Sequence, residues 1–213
     1  MLEIGSVLGI LGALLVGAMS PGASFVVVSR IALMQSRSNG LAAALGMGLG
    51  GLLFATLALG GLVALLQQVE WLFAILKLMG GVYLLVLALG TWRGAARPLP
   101  DLGAAGLHHK SAGRAVLLGF VTQVSNPKTV VVYASIFAAF LSGSAPAWML
   151  FTLPLLIFLV EAGWYSLVAL GFSAQRPRSL YLAAKVWIDR VTGLVMGALG
   201  ARLIYEGEHD LLT

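Results

Sequence analysis

The sequence predicts an all-α integral membrane protein with six transmembrane helices arranged as two inverted three-helix repeats. Composition is the first ground. Hydrophobic residues make up 60% of the chain and charged residues 10%, where a soluble domain carries roughly 45–50% and about 25%. The second ground is that apolar stretches long enough to cross a bilayer recur along the whole chain, separated by short polar breaks. The third is where the 13 Lys and Arg residues fall. Arg30 and Arg37 lie in the first break. Arg93, Arg97, Lys110 and Arg114 lie in the third, and Arg176, Arg178, Lys185 and Arg190 in the fifth. The second break, the fourth and both chain ends carry none, and Lys77, Lys128 and Arg202 sit inside apolar stretches. Loops rich in Lys and Arg resist translocation and mark the cytoplasmic side, so both ends of the chain are expected outside.

A hydrocarbon core about 30 Å thick takes about 20 helical residues to cross. The predicted spans are 5–29, 41–66, 71–92, 115–141, 147–171 and 188–206. The first is read as a retained helix and not as a cleaved leader. Met1 to Ser6 carries Glu3 and no basic residue, and the apolar run continues through Phe25 to Val28. Trp71, Trp92 and Trp148 lie near span ends, as interfacial anchors do. The stretch 94–113, with Pro98, Pro100, His108 and His109, reads as a long cytoplasmic linker. It divides one domain, 1–213, into a first repeat (1–93) and a second (114–213). Three spans per half is an odd number, so the second half runs upside down relative to the first.

Several function classes drop out here. Cys is absent, which removes disulfides, thiolate metal sites and cysteine nucleophiles. His108 and His109 fall in the linker and His209 in the tail, so no metal site is expected. The formal net charge of +5 is spread over loops on one side, so topology explains it better than a nucleic-acid partner.

Inverted repeats are a common transporter plan, with the substrate site near the midplane and Gly/Pro interruptions at corresponding places in the halves. This chain has such a pair: Ser20-Pro21-Gly22 in span one and Ser125-Asn126-Pro127-Lys128 in span four. Proline removes a backbone donor, which frees carbonyls to face a cavity.

These residues resemble a known family. Ser20-Pro21-Gly22-Ala23-Ser24, followed by Gly40-Leu41-Ala42-Ala43-Ala44-Leu45-Gly46 and Gly50, is similar to the opening of the LysE/RhtB amino-acid exporters. Leu76-Lys77-Leu78-Met79-Gly80-Gly81-Val82-Tyr83-Leu84, with Gly90 and Trp92-Arg93, resembles that family's third helix. Gly119-Phe120-Val121-Thr122-Gln123-Val124-Ser125-Asn126-Pro127-Lys128 looks like its fourth-helix signature, and Gly193, Gly197, Leu199-Gly200 and Arg202-Leu203 like its last helix. The resemblance runs from about residue 12 to 205. It implies export of amino acids or related small metabolites across the bacterial inner membrane, driven by the membrane potential or a proton gradient. The chain departs from the family's pattern at Ala23-Ser24, at Gln123 and at Ala138-Ala139-Phe140. Those departures bear on the substrate more than on transport.

Charges inside spans complete the candidate site. Each costs about 2.5–3.5 kcal/mol at the bilayer centre on insertion scales, so a mid-span charge faces a cavity or a partner. Lys128 is placed to hold a substrate carboxylate or to neutralise Glu161. Glu161, in Val160-Glu161-Ala162-Gly163, is placed to carry a proton, contact a substrate amine or pair with Lys128. Ser20, Pro21, Gly22, Ser24, Gln123, Asn126 and Pro127 are the other candidate translocation residues. Lys77 is expected to be structural, with a stem long enough to snorkel toward the outer side, and Arg202 to snorkel at the outer end of span six. The glycine runs at Gly46, Gly48, Gly50 and Gly51 and at Gly193 and Gly197 suit close helix packing, and with the family they suggest a homodimer. Expected partners are a small-molecule substrate and the lipid bilayer, with no cofactor. Alternatives are export of another small cationic solute, an intramembrane enzyme, or a non-transporting scaffold. An enzyme would need paired acids or a nucleophile and base within the bilayer, and only Glu161 is in place. A scaffold would not need a buried Lys and Glu.

Overall fold

A computed structural model describes residues 2–68, 70–98, 111–141 and 146–212. Most of the predicted linker, including Pro100, His108, His109 and Lys110, lies outside the described residues. Among the described residues the chain forms eight α-helices and no strand.

The first predicted span is two helices, α1 (Leu2–Met19) and α2 (Ala23–Met34), bent by 59°. The bend sits at Ser20-Pro21-Gly22. Pro21 offers no N–H to continue α1. Gly22 turns extended (φ −123°, ψ −166°) and caps α2, its carbonyl accepting from Val26 N at 3.0 Å. Two unbroken helices follow, α3 (Arg37–Gln68) and α4 (Glu70–Gly94). The fourth predicted span is again two helices, α5 (Ala112–Val124) and α6 (Pro127–Phe140), bent by 61°. Here the proline opens a helix and breaks none. Pro127 occupies the first position of α6, where its missing N–H is no loss, and Asn126 Oδ1 accepts from Lys128 N at 3.1 Å as the cap. The chain ends with α7 (Ala147–Phe172), which runs through Pro154, and α8 (Gln175–Leu212).

Two expectations need correction. Arg176, Arg178, Lys185 and Arg190 do not occupy a loop before a short sixth span. They ride on α8, which runs for 38 residues. Between Phe172 and Gly193 the sequence holds no glycine, and its one proline, Pro177, falls in the first turn where helices tolerate it. Helix therefore continues through the basic stretch. Likewise Arg30 lies on α2 and Arg37 opens α3, leaving Gln35-Ser36 as the first break. Lys77 takes the structural role, and its stem does not snorkel. It is 5% exposed, bonded to Asp210 at 2.8 Å and 3.9 Å from Glu206, because α8 extends far enough to bring those acids over α4. Arg202 is half-exposed and bonds Glu206 at 2.6 Å.

Among the described residues, three segments (Arg37–Gly61, Trp71–Gly94 and Ala147–Phe172) are long and apolar enough to cross a membrane, and up to five if each bent pair counts as one span. α8 is longer than any of them but carries Lys185, Asp189, Arg190, Arg202 and Glu206.

Helix association in lipid depends on close packing, because acyl chains are as apolar as leucine. Small residues supply it. A Cβ at Gly46 would strike the Val116 carbonyl, and one at Gly119 the Ala43 carbonyl, so α3 and α5 touch backbone to backbone. Gly81 of α4 and Gly200 of α8 do the same, each Cβ position lying 2.7 Å from the other's carbonyl oxygen. The expected packing role of Gly46 and Gly48 is met, the latter against Ala162 and Phe158 of α7. Large apolar side chains such as Met79, Phe151, Leu167 and Leu194 point outward, Phe151 at 80% exposure, which suits a surface that faces lipid.

Candidate functional site

The break in α1–α2 leaves the last carbonyls of α1 without the amides that would have followed, and such groups need partners inside a membrane. Side chains from α7 and α8 supply them. Thr192 Oγ1 donates to the Val16 carbonyl (3.1 Å), Trp164 Nε1 to Ala18 (3.0 Å) and Tyr181 OH to Met19 (3.1 Å). Tyr181 is held in place by stacking on Phe25, with ring centroids 4.8 Å apart. The remaining carbonyl, Gly17, is the one that Pro21 has no N–H to serve. Gly17 lines a polar cavity of about 40 Å³.

That cavity gathers most of the predicted residues. Ser20, Gly22, Ser24, Gln123, Asn126, Lys128 and Glu161 all line it, with Thr129, Tyr133 and Tyr165. A hydrogen-bond chain crosses it in one direction. Asn126 Nδ2 donates to Ser24 Oγ (3.4 Å), Ser24 Oγ to Gln123 Oε1 (2.7 Å), and Gln123 Nε2 to Glu161 Oε2 (3.2 Å). Tyr133 OH donates to the other carboxylate oxygen, Oε1, at 3.0 Å. Both breaks thus feed one buried acceptor on α7. Glycine makes the room. A Cβ at Gly51 would lie 2.8 Å from Tyr133 OH and 3.1 Å from Glu161 Cγ.

Lys128 does not pair with Glu161. Among the described residues no ion pair joins them, and the carboxylate is occupied by Tyr133 and Gln123 instead. The Lys128 ammonium lies over the first break, 3.8 Å from where a Cβ would sit on Gly22. It also lines a larger vestibule of about 470 Å³, shared with Ser20, Pro21, Gly22, Gly90, Arg97, Lys185 and Asp189. Pro21 belongs to this vestibule and not to the small cavity. Pro127 lines neither and acts through the start of α6.

Sequence reasoning missed a second buried cluster at the vestibule wall. Asp189 Oδ1 accepts from Ser20 Oγ at 3.1 Å, and its Oδ2 accepts from Lys185 Nζ at 2.8 Å. Lys185 also donates to the Ala95 carbonyl at 3.0 Å, just past the end of α4, where a cation complements the helix dipole. Lys185 is 7% exposed and Asp189 3%. A signal was present: an acid four residues after a lysine, at the edge of an apolar stretch. Tyr133, Tyr165 and Thr192 gave none, since single hydroxyl residues in apolar helices look like packing.

The LysE type translocator family model matches residues 15–207. A "threonine efflux protein" of Salmonella typhi is 33% identical over 195 residues, covering 89% of this chain and 93% of the relative. Its namesake in Escherichia coli K12 is 30% identical over 199 residues, with the same coverage. An uncharacterized membrane protein of the same strain, YahN, is 32% identical over 190 residues, 88% of this chain and 84% of that one. No solved structure matches the chain. With one family model spanning nearly the whole sequence, the chain belongs to the LysE type translocators.

Proposed function

We propose that the protein exports an amino acid or a similar small zwitterion across the bacterial inner membrane, coupled to the proton gradient through Glu161. The observation that carries this reading is that one cavity is lined by a buried carboxylate and by an ammonium that is not paired with it. A buried carboxylate is approached only by donors, and the Lys128 ammonium lies on the opposite break with no carboxylate within ion-pair distance among the described residues. A zwitterion matches that arrangement, its carboxylate toward Lys128 and its ammonium toward Glu161. Relatives named for threonine efflux make small neutral amino acids the first substrates to test.

In this reading each bent pair is one span and α8 is the sixth. Two inverted repeats, 1–93 and 114–213, are joined by the cytoplasmic linker 94–113. Support comes from matched bends of 59° and 61° and from the packing of α3 on α7 and α4 on α8, the pairs that a pseudo-two-fold axis would bring together. Both termini then lie outside, and a homodimer in the bilayer is part of the same reading, resting on the family and not on the glycine runs, which pack within the protomer. No nucleic-acid partner is involved.

Two experiments test this. The medium of overexpressing cells should be enriched in one amino acid relative to deletion cells. Equal media under every amino-acid load would overturn export. For topology, a reporter active only outside the cytoplasm should work after Thr213 and when inserted near Gln68, and stay silent near Gly103. Activity near Gly103 would remove the inverted-repeat arrangement.

A further inference from the structure

Three cavities lie in series along the molecule. The vestibule touches α4 at Val86, Leu87, Gly90, Thr91 and Gly94. An apolar chamber of about 340 Å³ touches the same helix at Leu76, which at 1.5 Å per residue is about 15 Å from Val86. The 40 Å³ polar cavity lies between them. It shares Ser20, Gly22 and Lys128 with the vestibule and Tyr133 with the chamber. Its volume suits a few waters, so a whole amino acid passes only if a wall moves.

We propose that Tyr133 is the outer gate of the transport route, and that the apolar chamber beyond it is where the solute leaves. This rests on the exporter reading. Among the described residues Tyr133 is the one common to the polar cavity and the chamber. It is 2% exposed, and its ring lies against Phe54 and Phe137 at centroid distances of 5.5 and 6.3 Å. Its hydroxyl is tied to Glu161 at 3.0 Å over the notch left by Gly51. That bond is the latch. A substrate ammonium or a proton arriving at Glu161 competes with the tyrosine donor, and the freed ring has the chamber to swing into. Among the described residues the chamber's other walls, including Phe54, Leu57, Leu76, Val130 and Phe137, carry no ionisable group. Such walls give a zwitterion nothing to bind, which favours release over retention.

Leu57 and Val130 are about half exposed at the chamber's rim, so the competing account is a groove filled by lipid. The chain's lack of cysteine makes the test clean. Ala58→Cys places a thiol in the chamber and Thr129→Cys one in the polar cavity. A charged, membrane-impermeant maleimide is applied to intact cells, and to inverted vesicles as a check that Thr129→Cys is folded and open to the cytoplasmic side. From outside, Ala58→Cys should be labelled and Thr129→Cys should not. Adding Tyr133→Ala should take Thr129→Cys from unlabelled to labelled from outside, whereas Tyr133→Phe, which keeps the ring and loses only the latch, should give intermediate labelling. Ala58→Cys reacting only with a lipid-soluble maleimide would make the chamber a lipid groove and overturn the route. No gain at Thr129→Cys in the Tyr133→Ala background would overturn the gate. Labelling needs no transported solute, so failure of the exporter reading would show in the efflux assay and not here.

Discussion

Glu161→Gln is expected to abolish uphill export while the protein still inserts in the membrane, and removing Lys128 is expected not to restore it. The carboxylate is a pure acceptor, and both of its partners are donors. A glutamine there presents one acceptor and one NH₂, so with its oxygen toward Gln123 its NH₂ faces Tyr133, whose hydroxyl must turn to accept and gives up its charged acceptor. Gln123 cannot turn to relieve this without losing Ser24, which donates to its Oε1 at 2.7 Å. Loss of a buried hydrogen bond to a charged group costs about 1.5–3 kcal/mol, which as a rate or affinity is roughly 10- to 100-fold. The loss of proton carriage then stops accumulation against a gradient. Downhill exchange of substrate across vesicle membranes should persist in part, because exchange needs no net proton movement. The Lys128→Met partner variant separates two accounts. If Glu161 merely neutralised Lys128, then Glu161→Gln with Lys128→Met would recover export, since no stranded charge remains. The geometry argues the other way, because Glu161 is bonded to Tyr133 and Gln123. Uphill export in the double variant would overturn the proton-carrier role.

What could be read from residues alone follows from which residues are costly where they stand. A proline, lysine or glutamate in an apolar run has few bland explanations, so Pro21, Asn126-Pro127, Lys128 and Glu161 were legible, and the family resemblance agreed with them. Their mutual arrangement was not. Lys128 and Glu161 sit at comparable depth, and a pair was a reasonable expectation. Only the folded chain shows Tyr133 and Gln123 taking the carboxylate. The hydroxyl and indole donors that satisfy the α1 carbonyls lie over 140 positions away in sequence, where no local pattern announces them. Span limits held for the uninterrupted helices α3, α4 and α7. They failed at α8, because basic residues were read as a loop where the helix simply continues. The two prolines also differ in a way spacing hides. Pro21 ends a helix, and Pro127 begins one.

Asp189→Ala should be among the most destabilising single substitutions in the chain, with stability recovered when both partners are made apolar, as Asp189→Leu with Lys185→Met. Taken alone, Asp189→Ala strands the Lys185 ammonium, 7% exposed, with only the Ala95 carbonyl beside it. Breaking a buried pair in this way costs about 3–5 kcal/mol, whereas replacing both partners by apolar residues is often neutral or stabilising. The thermal midpoint of the detergent-solubilised protein should therefore fall sharply in Asp189→Ala and return in Asp189→Leu with Lys185→Met. Normal export should not return with it. Asp189 also accepts from Ser20 at 3.1 Å, and that bond fixes the start of the break whose next residues, Pro21 and Gly22, form the vestibule wall under Lys128. With the acceptor gone the break is free to shift, and the substrate concentration giving half-maximal efflux should rise even though the helices are intact. Asp189→Asn discriminates further, since its amide oxygen can still accept from Ser20 while the charge is lost. It should keep substrate affinity better than the apolar double variant and be less stable. If the double variant exports with unchanged half-saturation, the pair only braces α8 against α4 and has no part in shaping the site.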